Sequence, residues 1–243
     1  MSSNVKSWIM FVCSILIVWQ IVAFVVHNPF IMPYPSDVFV EMFALLLELS
    51  FYKAIGTTFL RVFISISISF VFAFLLSYIS LYNRFACLWI EKLMVVIRTI
   101  PNVVLIVLFL FWFSRETVTF LVSFFLLCPI IYENIYRTLN NIENQWRDVL
   151  SVYKQPLFTK VKYVHLPLLN IPILSSLVVA CSMGVKVGIM AEILGQVTTG
   201  IGRQIQIAKL DVNLTVVLAW TMWIILFVLL INGLLNKLEK RSV

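Results

Sequence analysis

The chain has 243 residues, of which 62% are hydrophobic and only 12% are charged. This composition is too apolar for a water-soluble domain and predicts a membrane protein with several spans. In a soluble protein the formal net charge of +7 would suggest nucleic acid as a partner. In a membrane protein the same excess follows from Lys and Arg in cytoplasmic loops, so no nucleic-acid partner is predicted.

Motifs of enzymes and metal sites are absent from the sequence. The four cysteines, Cys13, Cys87, Cys128 and Cys181, lie far apart in or beside apolar segments, with no CxxC and no Cys/His cluster. Neither a metal site, a disulfide nor a catalytic residue is therefore predicted. A GxxxxGK[ST] phosphate loop is also missing, so the energy for any ATP-driven work would come from another chain.

Six apolar segments are long enough to cross a bilayer whose hydrocarbon core is roughly 30 Å thick. They cover residues 8–26, 59–81, 93–113, 118–136, 168–194 and 214–235. A signal peptide is the competing interpretation of the first, but its apolar run is long and no small-x-small cleavage site follows, so we interpret it as a retained span. Ser36 is predicted to cap a short helix on the membrane surface. Pro101 predicts a kink or an unwound turn in the third span.

Basic residues are distributed unevenly between the two sides of the membrane. With the N-terminus inside, eleven fall in cytoplasmic segments and five in outer ones, while Arg98 and Lys186 lie within spans. The outer five are Lys53, Arg61, Arg115, Arg203 and Lys209. Because short cytoplasmic loops carry the excess of Lys and Arg, both termini and residues 140–167 are predicted to be cytoplasmic.

Residues 140–167 form the longest polar interruption of this apolar chain. Apolar side chains at helical spacing predict one amphipathic helix there, capped by Asn140 or Asn141. They are Ile142, Trp146, Val149, Leu150 and Tyr153. Pro156 suits the start of a second helix, which His165-Leu166-Pro167 would close. The segment predicts contact with a partner in water; the alternative is a helix pair lying on the membrane surface.

Lys186 and Glu192 are ionisable residues within the fifth span. A charge at the bilayer centre costs about 2.5–3.5 kcal/mol on insertion scales, so Lys186 should face a counter-charge or a watery path. Glu192 follows six residues later, about 240° around the helix, so the two side chains need not share a face. Lys186 could pair with Glu133 or across a dimer, or line a path for an anionic or polar solute. For Arg98, beside Pro101, an alternative is to reach the cytoplasmic interface.

Ala180, Gly184 and Gly188 recur every four residues in the same span. Small residues at this spacing let helices approach closely, so these three are predicted to be packing positions. The alternative left open is that the stripe forms the interface between two copies of the chain around a pathway.

Several motifs resemble the permease subunits of ATP-binding-cassette (ABC) importers for sulfonates, taurine, nitrate and pyrimidine precursors. The coupling loop of those permeases has the form Glu-Ala-Ala, three residues, Gly, and later Leu-Pro. Here Asp148-Val149-Leu150 takes the first position, Lys154 the Gly position and Leu166-Pro167 the last. The spacing is similar, whereas most of the letters differ, and Lys does not favour the left-handed turn that Gly allows.

The resemblance continues in the same order along residues 33–235. The matching stretches are Pro33 to Val38, Thr58 with Arg61, Arg98 to Pro101, Trp112-Phe113, Ala191-Glu192 and Gly200-Ile201-Gly202. One departure is Ser114, which stands where these permeases have Gly after Trp-Phe.

The resemblance implies an all-α membrane protein with six transmembrane helices, the type I ABC importer (MetI-like) permease fold, and a cytoplasmic coupling helix between spans 4 and 5. It implies a multi-pass protein of the bacterial inner (plasma) membrane. The implied partners are a second permease subunit, with a homodimer favoured, two ABC ATPase subunits, and an extracellular solute-binding protein. The chain itself is expected to bind no cofactor, because ATP and Mg²⁺ would be bound by the partner ATPase.

Two sets of candidate site residues follow from the motifs and the resemblance. The ATPase-coupling set comprises Trp146, Asp148, Val149, Leu150, Tyr153, Lys154, Pro156, Leu166 and Pro167. The translocation-path set comprises Arg98, Pro101, Lys186 and Glu192. The chain divides into a first span with an extracellular segment (residues 1–57), a permease core (58–235) and a cytoplasmic tail (236–243).

The predicted function is that of a non-enzymatic permease subunit, which forms a path for a small polar or anionic solute and is coupled to a separate ATPase. The alternative is an ion-coupled secondary transporter with Lys186 and Glu192 as its coupling pair. That alternative predicts inverted internal repeats, and none is evident. A membrane enzyme is disfavoured because no catalytic cluster is present. A coupling subunit of a vitamin importer is disfavoured because its paired Ala-Arg-Gly motifs are absent.

Overall fold

A computed structural model describes residues 3–145 and 156–239, and within these ranges the regular structure is helical. The helices are α1 (Ser3–Val26), α2 (Pro35–Leu45), α3 (Leu49–Tyr82), α4 (Arg84–Thr99), α5 (Asn102–Leu110), α6 (Arg115–Gln145), α7 (Leu157–Lys160), α8 (Leu166–Gly195), α9 (Ile201–Leu210) and α10 (Leu214–Glu239). A π-helical turn, Val161–His165, joins α7 to α8. The predicted all-α class is confirmed.

Among the described residues, five helical segments are long and apolar enough to cross a membrane. They are Lys6–Val26, Leu49–Tyr82, Arg115–Ile142, Val161–Gly195 and Leu214–Lys237. The remaining predicted span consists of α4 and α5, which are bent by 92° with respect to each other. The backbone is extended at Ile100 because a residue that precedes proline disfavours the helical conformation. The kink predicted at Pro101 is therefore confirmed, as a complete break between two helices.

The described core is built from α3, α6 and α8, which pack side by side. On α3, the buried hydroxyls of Ser65, Ser69 and Ser77 each donate to a carbonyl oxygen of α6 at 3.3–3.4 Å. Each also contacts the carbonyl four residues earlier in its own helix, at 2.7–2.8 Å. Small residues at this spacing let the two backbones approach closely. This serine stripe adds to the packing positions predicted from the sequence.

The small residues of α8 pack within the same chain. Ala180, Gly184 and Gly188 are all buried. A methyl group added at Gly188 would lie 3.0 Å from the Val62 side chain, and one added at Gly184 would lie 3.3 Å from that of Leu127. Because these positions are already covered by α3 and α6, they are not available as an interface between two copies.

The N-terminal segment is joined to the last helix. The Trp223 indole N–H donates to the carbonyl oxygen of Met42 at 3.2 Å, which fixes α2 against α10. The helix α1 has few neighbours, and its Trp19 indole N–H donates to the carbonyl oxygen of Pro33 at 3.0 Å. The domain boundary predicted between residues 57 and 58 falls inside α3.

The predicted cap of α2 is wrong. Pro35 occupies the first position of this helix and Tyr34 is the capping residue. The Ser36 hydroxyl donates to the Asp37 carboxylate at 3.2 Å and caps no backbone N–H. Proline is favoured at this position because its φ angle already suits a helix and its missing N–H needs no partner there.

The new helix predicted to start at Asn140 or Asn141 does not start there. The helix α6 continues to Gln145, so neither Asn140 nor Asn141 starts a new helix. A capping residue has to leave the helical conformation, and no Pro or Gly interrupts α6 at this point. The predicted coupling residues Trp146, Asp148, Val149, Leu150, Tyr153 and Lys154 lie outside the described residues.

The C-terminal end of the polar interruption is helical and continues into the next span. The predicted closure at His165-Leu166-Pro167 is wrong, because the π turn continues directly into α8. The Leu166 N–H donates to the carbonyl oxygen of Val161, five residues earlier. Pro167 lacks an N–H and would crowd the carbonyl of an ordinary preceding turn, so the wider π turn accommodates it without ending the helix.

Candidate translocation site

Two neighbouring cavities lie beside α6, one between α4, α5, α6 and α8 and the other between α4 and α6. The larger has a volume of about 420 Å³ and is named here the Lys186 cavity. Its polar lining residues are Arg98, Asn102, Glu133, Asn134 and Lys186. The smaller has a volume of about 340 Å³ and is named the Arg137 cavity. Its polar lining residues are Glu91, Arg98, Tyr132, Glu133, Tyr136 and Arg137.

The ion pair between Arg98 and Glu133 belongs to both cavities. One guanidinium nitrogen of Arg98 contacts the Glu133 carboxylate, and the other donates to the Pro129 carbonyl oxygen at 2.5 Å. The second carboxylate oxygen of Glu133 lies 2.5 Å from Arg137 Nη2. Glu133 is therefore held by two guanidinium groups, one from α4 and one from the next turn of α6.

Lys186 makes the larger cavity electropositive. No carboxylate in the described ranges lies within 4.0 Å of Lys186, so the predicted pairing with Glu133 is not formed within this chain. Arg98 and Lys186 give the Lys186 cavity two positive charges and Glu133 gives one negative charge, a net +1. In the Arg137 cavity, two arginines balance two glutamates. The Lys186 cavity can therefore attract an anionic or polar group.

The break at Pro101 places the start of α5 at the Lys186 cavity. Asn102 is the first residue of α5 and lines this cavity. The first N–H groups of a helix lack intrahelical acceptors and carry partial positive charge, which adds to that of Lys186. Of the predicted path residues, Arg98 and Lys186 thus come together, with Pro101 beside them.

Glu192, the fourth predicted path residue, belongs to a different site. Its side chain is 1% exposed, and its carboxylate accepts from the Thr58 hydroxyl (2.9 Å), the Arg61 guanidinium (2.7 Å) and the Gly202 N–H (2.9 Å). Thr58 Oγ1 in turn accepts from the Ile201 N–H at 2.9 Å. This arrangement, named here the Glu192 cluster, joins α3, α8 and α9 at one point.

The Glu192 cluster requires glycine at two positions. Gly200 has φ = 135°, and a methyl group added there would lie 2.6 Å from the carboxylate oxygens of Glu192. A methyl group added at Gly202 would lie 2.4 Å from Glu192 Cβ and 2.8 Å from the Ile189 carbonyl oxygen. Both sites exclude any larger residue, which gives the Gly-Ile-Gly motif a steric cause.

Arg61 connects the Glu192 cluster to the start of α6. Its second guanidinium nitrogen contacts the Glu116 carboxylate, which also accepts from the Thr198 N–H (3.0 Å) and hydroxyl (2.9 Å). Arg61 donates further to the Thr199 carbonyl oxygen at 2.7 Å. The turn between α8 and α9 is thereby fixed against α3 and α6. Glu116 was not predicted, since nothing local distinguishes it from a polar residue in a tight turn.

Three predicted coupling residues are described: Pro156, Leu166 and Pro167, all of them exposed. Beside them, His165 is fully buried, and its Nδ1 lies 2.7 Å from the Tyr78 hydroxyl. The π turn that precedes α8 is thus attached to the end of α3.

Comparison with known proteins assigns the chain to a family. Residues 65–243, well over half of the chain, match the binding-protein-dependent transport system inner membrane components. The chain belongs to this family. It is also similar to the formylaminopyrimidine transport permease protein ThiX of Halalkalibacterium halodurans, with 26% identity over 160 residues. The matched region is 63% of this chain, and the chain spans 62% of the length of that curated relative.

Membership of the binding-protein-dependent transport family confirms the predicted resemblance and the assignment as a multi-pass membrane protein, and it does not favour the ion-coupled alternative. Motifs that are distant in the sequence meet in the fold. Thr58 with Arg61, Ala191-Glu192 and Gly200 to Gly202 form the Glu192 cluster. Arg98 to Pro101 forms the end of α4 and the break beside the Lys186 cavity.

Proposed function

We propose that the chain is the membrane-spanning permease subunit of an ATP-driven importer and forms the path of a small polar or anionic solute. The observation that carries this proposal is the Lys186 cavity, which is electropositive and lies among the spans of a transport-family member. A mid-span lysine costs about 2.5–3.5 kcal/mol unless it faces water or a counter-charge. A water-filled path used by such a solute meets this requirement.

A second copy of the chain covers the face that carries both cavities. Lys186 is exposed on this face, and contact with lipid there would be costly. A two-fold axis would bring the same cavities of both copies to one shared pathway, which favours a homodimer. The described face is open between α4, α5, α6 and α8, as an interface of this kind requires.

Separate cytoplasmic ATPase subunits supply the energy and contact the segment around residues 146–156, while the chain itself binds no nucleotide. The distribution of basic residues supports a cytoplasmic position for this segment and for both termini. Helix continuity supports the coupling: α7, the π turn and α8 form one helical run from Leu157 to Gly195. Lys186 follows Leu166 by 20 residues, which corresponds to about 30 Å of helix. A displacement of the segment around residues 146–156 would be transmitted along this helix to the Lys186 cavity.

An extracellular solute-binding protein delivers the solute. ThiX is named for formylaminopyrimidine transport, so formylaminopyrimidine is the first solute to test, followed by small organic anions. The test is uptake into vesicles that contain the chain with its ATPase and binding protein. Failure of any ATPase subunit to co-purify with the solubilised chain would contradict the proposed function.

The coupling role is tested by Val149→Asp and Leu150→Asp. Each change places a charge in the apolar stripe predicted from the sequence, so we expect solute-stimulated ATP hydrolysis to be lost while the chain remains in the membrane. Leu47→Asp is the matched control, because Leu47 is 90% exposed and lies in the turn between α2 and α3. Normal uptake by the Val149→Asp variant would refute the coupling role.

A further inference from the structure

The Arg98–Glu133 ion pair stands between two cavities that follow one another along the same helices. On α4, Val95 lines the Arg137 cavity and Ile97 lines the Lys186 cavity. On α6, Ile130 lines the Lys186 cavity, whereas Tyr136 and Arg137 line the other. Both helices therefore place the Arg137 cavity towards the start of α4 and the end of α6, and the Lys186 cavity towards the end of α4. Arg98 and Glu133 lie at the border between the two cavities.

We propose that this ion pair is a gate in the translocation path. In the structure it is closed, because the guanidinium and the carboxylate are in contact. When Arg98 and Glu133 separate, the cavities of about 420 and 340 Å³ become continuous. The Lys186 cavity is then open to the end of the bundle where α4 begins and α6 ends.

Each member of the pair lines a cavity together with another group of opposite charge, which offers the gate a second stable state. Glu133 keeps its contact with Arg137 at 2.5 Å and shares its cavity with Lys186, for which the described chain supplies no carboxylate. Arg98 shares the Arg137 cavity with Glu91, two turns earlier on α4. Opening therefore exchanges counter-ions and leaves no charge alone in a low-dielectric region.

A hinge lies directly beside the pair. Arg98 is the penultimate residue of α4, and the extended Ile100 and Pro101 separate α4 from α5. Hinges are formed by a few residues at element ends that absorb changes of φ and ψ. Rotation of α4 about this break moves Arg98 away from Glu133. The side chains are 37% and 33% exposed in the single chain, and a partly exposed ion pair contributes little net stability, so it can separate at a small cost in free energy.

The gate is tested by the rate at which a membrane-impermeant reagent reaches each cavity. Met183→Cys places a thiol in the Lys186 cavity, and Val95→Cys places one in the Arg137 cavity. The probe is 2-sulfonatoethyl methanethiosulfonate, applied to the assembled importer in vesicles. It is added on the predicted cytoplasmic side, where α4 begins and α6 ends and where the Arg137 cavity lies. Labelling is read residue by residue by peptide mass spectrometry, so the native cysteines can stay.

With the pair intact, we expect Val95→Cys to react quickly and Met183→Cys slowly. Arg98→Gln together with Glu133→Gln should accelerate labelling of Met183→Cys about tenfold or more. This double change removes one charge of each sign, so the net charge of the Lys186 cavity stays at +1. The altered rate then reports the barrier and not the attraction of the anionic reagent.

Two further variants bracket this result. Glu91→Gln removes the carboxylate of the Arg137 cavity that stabilises Arg98 when the pair separates, so labelling of Met183→Cys relative to that of Val95→Cys should become slower and not faster. Glu133→Asp keeps the charge but shortens the side chain by one methylene group. It should accelerate labelling severalfold, and it keeps the test decisive if the double variant does not assemble. Reagent from the opposite side should label Met183→Cys at a rate that none of these changes alters.

The proposal rests on the proposed path, yet its failure can be told apart from failure of the proposed function, because labelling needs neither ATP nor solute. Fast labelling of Met183→Cys with the pair intact would overturn the gate. So would slow labelling that persists in both the double variant and Glu133→Asp. Either outcome leaves uptake and ATPase co-purification as separate tests of the importer function.

Discussion

Replacement of Glu192 by alanine should destabilise the protein more than any exposed carboxylate replacement. The change removes an acceptor that three donors share: the Thr58 hydroxyl, the Arg61 guanidinium and the Gly202 N–H. The Gly202 N–H is then buried without an acceptor. Arg61 keeps its contact with Glu116, so its charge is not left alone.

The size of the effect follows from these contacts. Loss of one partner from a buried ion pair costs about 3–5 kcal/mol, and an unsatisfied buried N–H costs about 1–3 kcal/mol. Because Arg61 retains Glu116, we expect a total of about 3–4 kcal/mol, near the low end of the ion-pair range. For a chain of this length, about 2–4 °C per kcal/mol gives a melting temperature lower by about 6–16 °C. Glu192→Gln keeps one acceptor oxygen and should lose less.

The assay is thermal unfolding of the purified chain in detergent, followed by the reactivity of its buried cysteines. Asp211→Ala is the matched control, because Asp211 is an exposed carboxylate at the end of α9, close to the same turn in the sequence. Melting of the Glu192→Ala variant within about 1 °C of both the wild type and this control would refute the assigned contacts.

The remaining predictions concern two glycines and the path. Gly202→Ala should lower the melting temperature by several degrees, because its methyl group would lie only 2.4 Å from Glu192 Cβ. Gly233→Ala is the control, because Gly233 has open space around it, and it should not lower the melting temperature. Equal melting temperatures of the two variants would contradict the packing at Gly202. Gly188→Leu should prevent recovery of a monodisperse protein in size-exclusion chromatography, because even a methyl group there would lie 3.0 Å from the Val62 side chain. Gly56→Leu is its control, because the surroundings of Gly56 are open. Lys186→Met should reduce solute uptake about tenfold without loss of the ATPase partner, with partial recovery in Lys186→Arg; unchanged uptake would remove Lys186 from the path.

Several features were predictable because their causes are local. An apolar segment of about 20 residues specifies a span wherever it lies in the chain. Pro101 breaks a helix through its own ring and through the restriction of the residue before it. Family motifs such as Gly200-Ile201-Gly202 were visible in the sequence, although their purpose was not. The ends of the polar interruption were misplaced, because a π turn has no simple sequence signal and Asn140 is tolerated inside a helix.

The side-chain partners were not predictable, because they depend on how distant helices pack. Glu192 is 131 residues from Arg61 and 134 from Thr58, and no periodicity within one span relates them. In the sequence, Lys186 and Glu192 lie six residues apart on one helix, so their side chains need not share a face. The sequence alone therefore allowed both residues to line a path. Packing separated them, with Lys186 in an open cavity beside Arg98 and Glu192 enclosed between α3 and α9.

The sequence by itself determined the membrane class, the positions of five spans and the family, because hydropathy, proline geometry and short motifs act within a few residues. Only the tertiary structure decided which charges are neutralised. Glu133 satisfies Arg98 and Arg137, Glu192 and Glu116 satisfy Arg61, and Lys186 has no carboxylate partner in the described part of the chain. The physical reason is that charge pairing within a membrane is set by distances of a few ångströms between helices, which the order of residues along one helix does not contain.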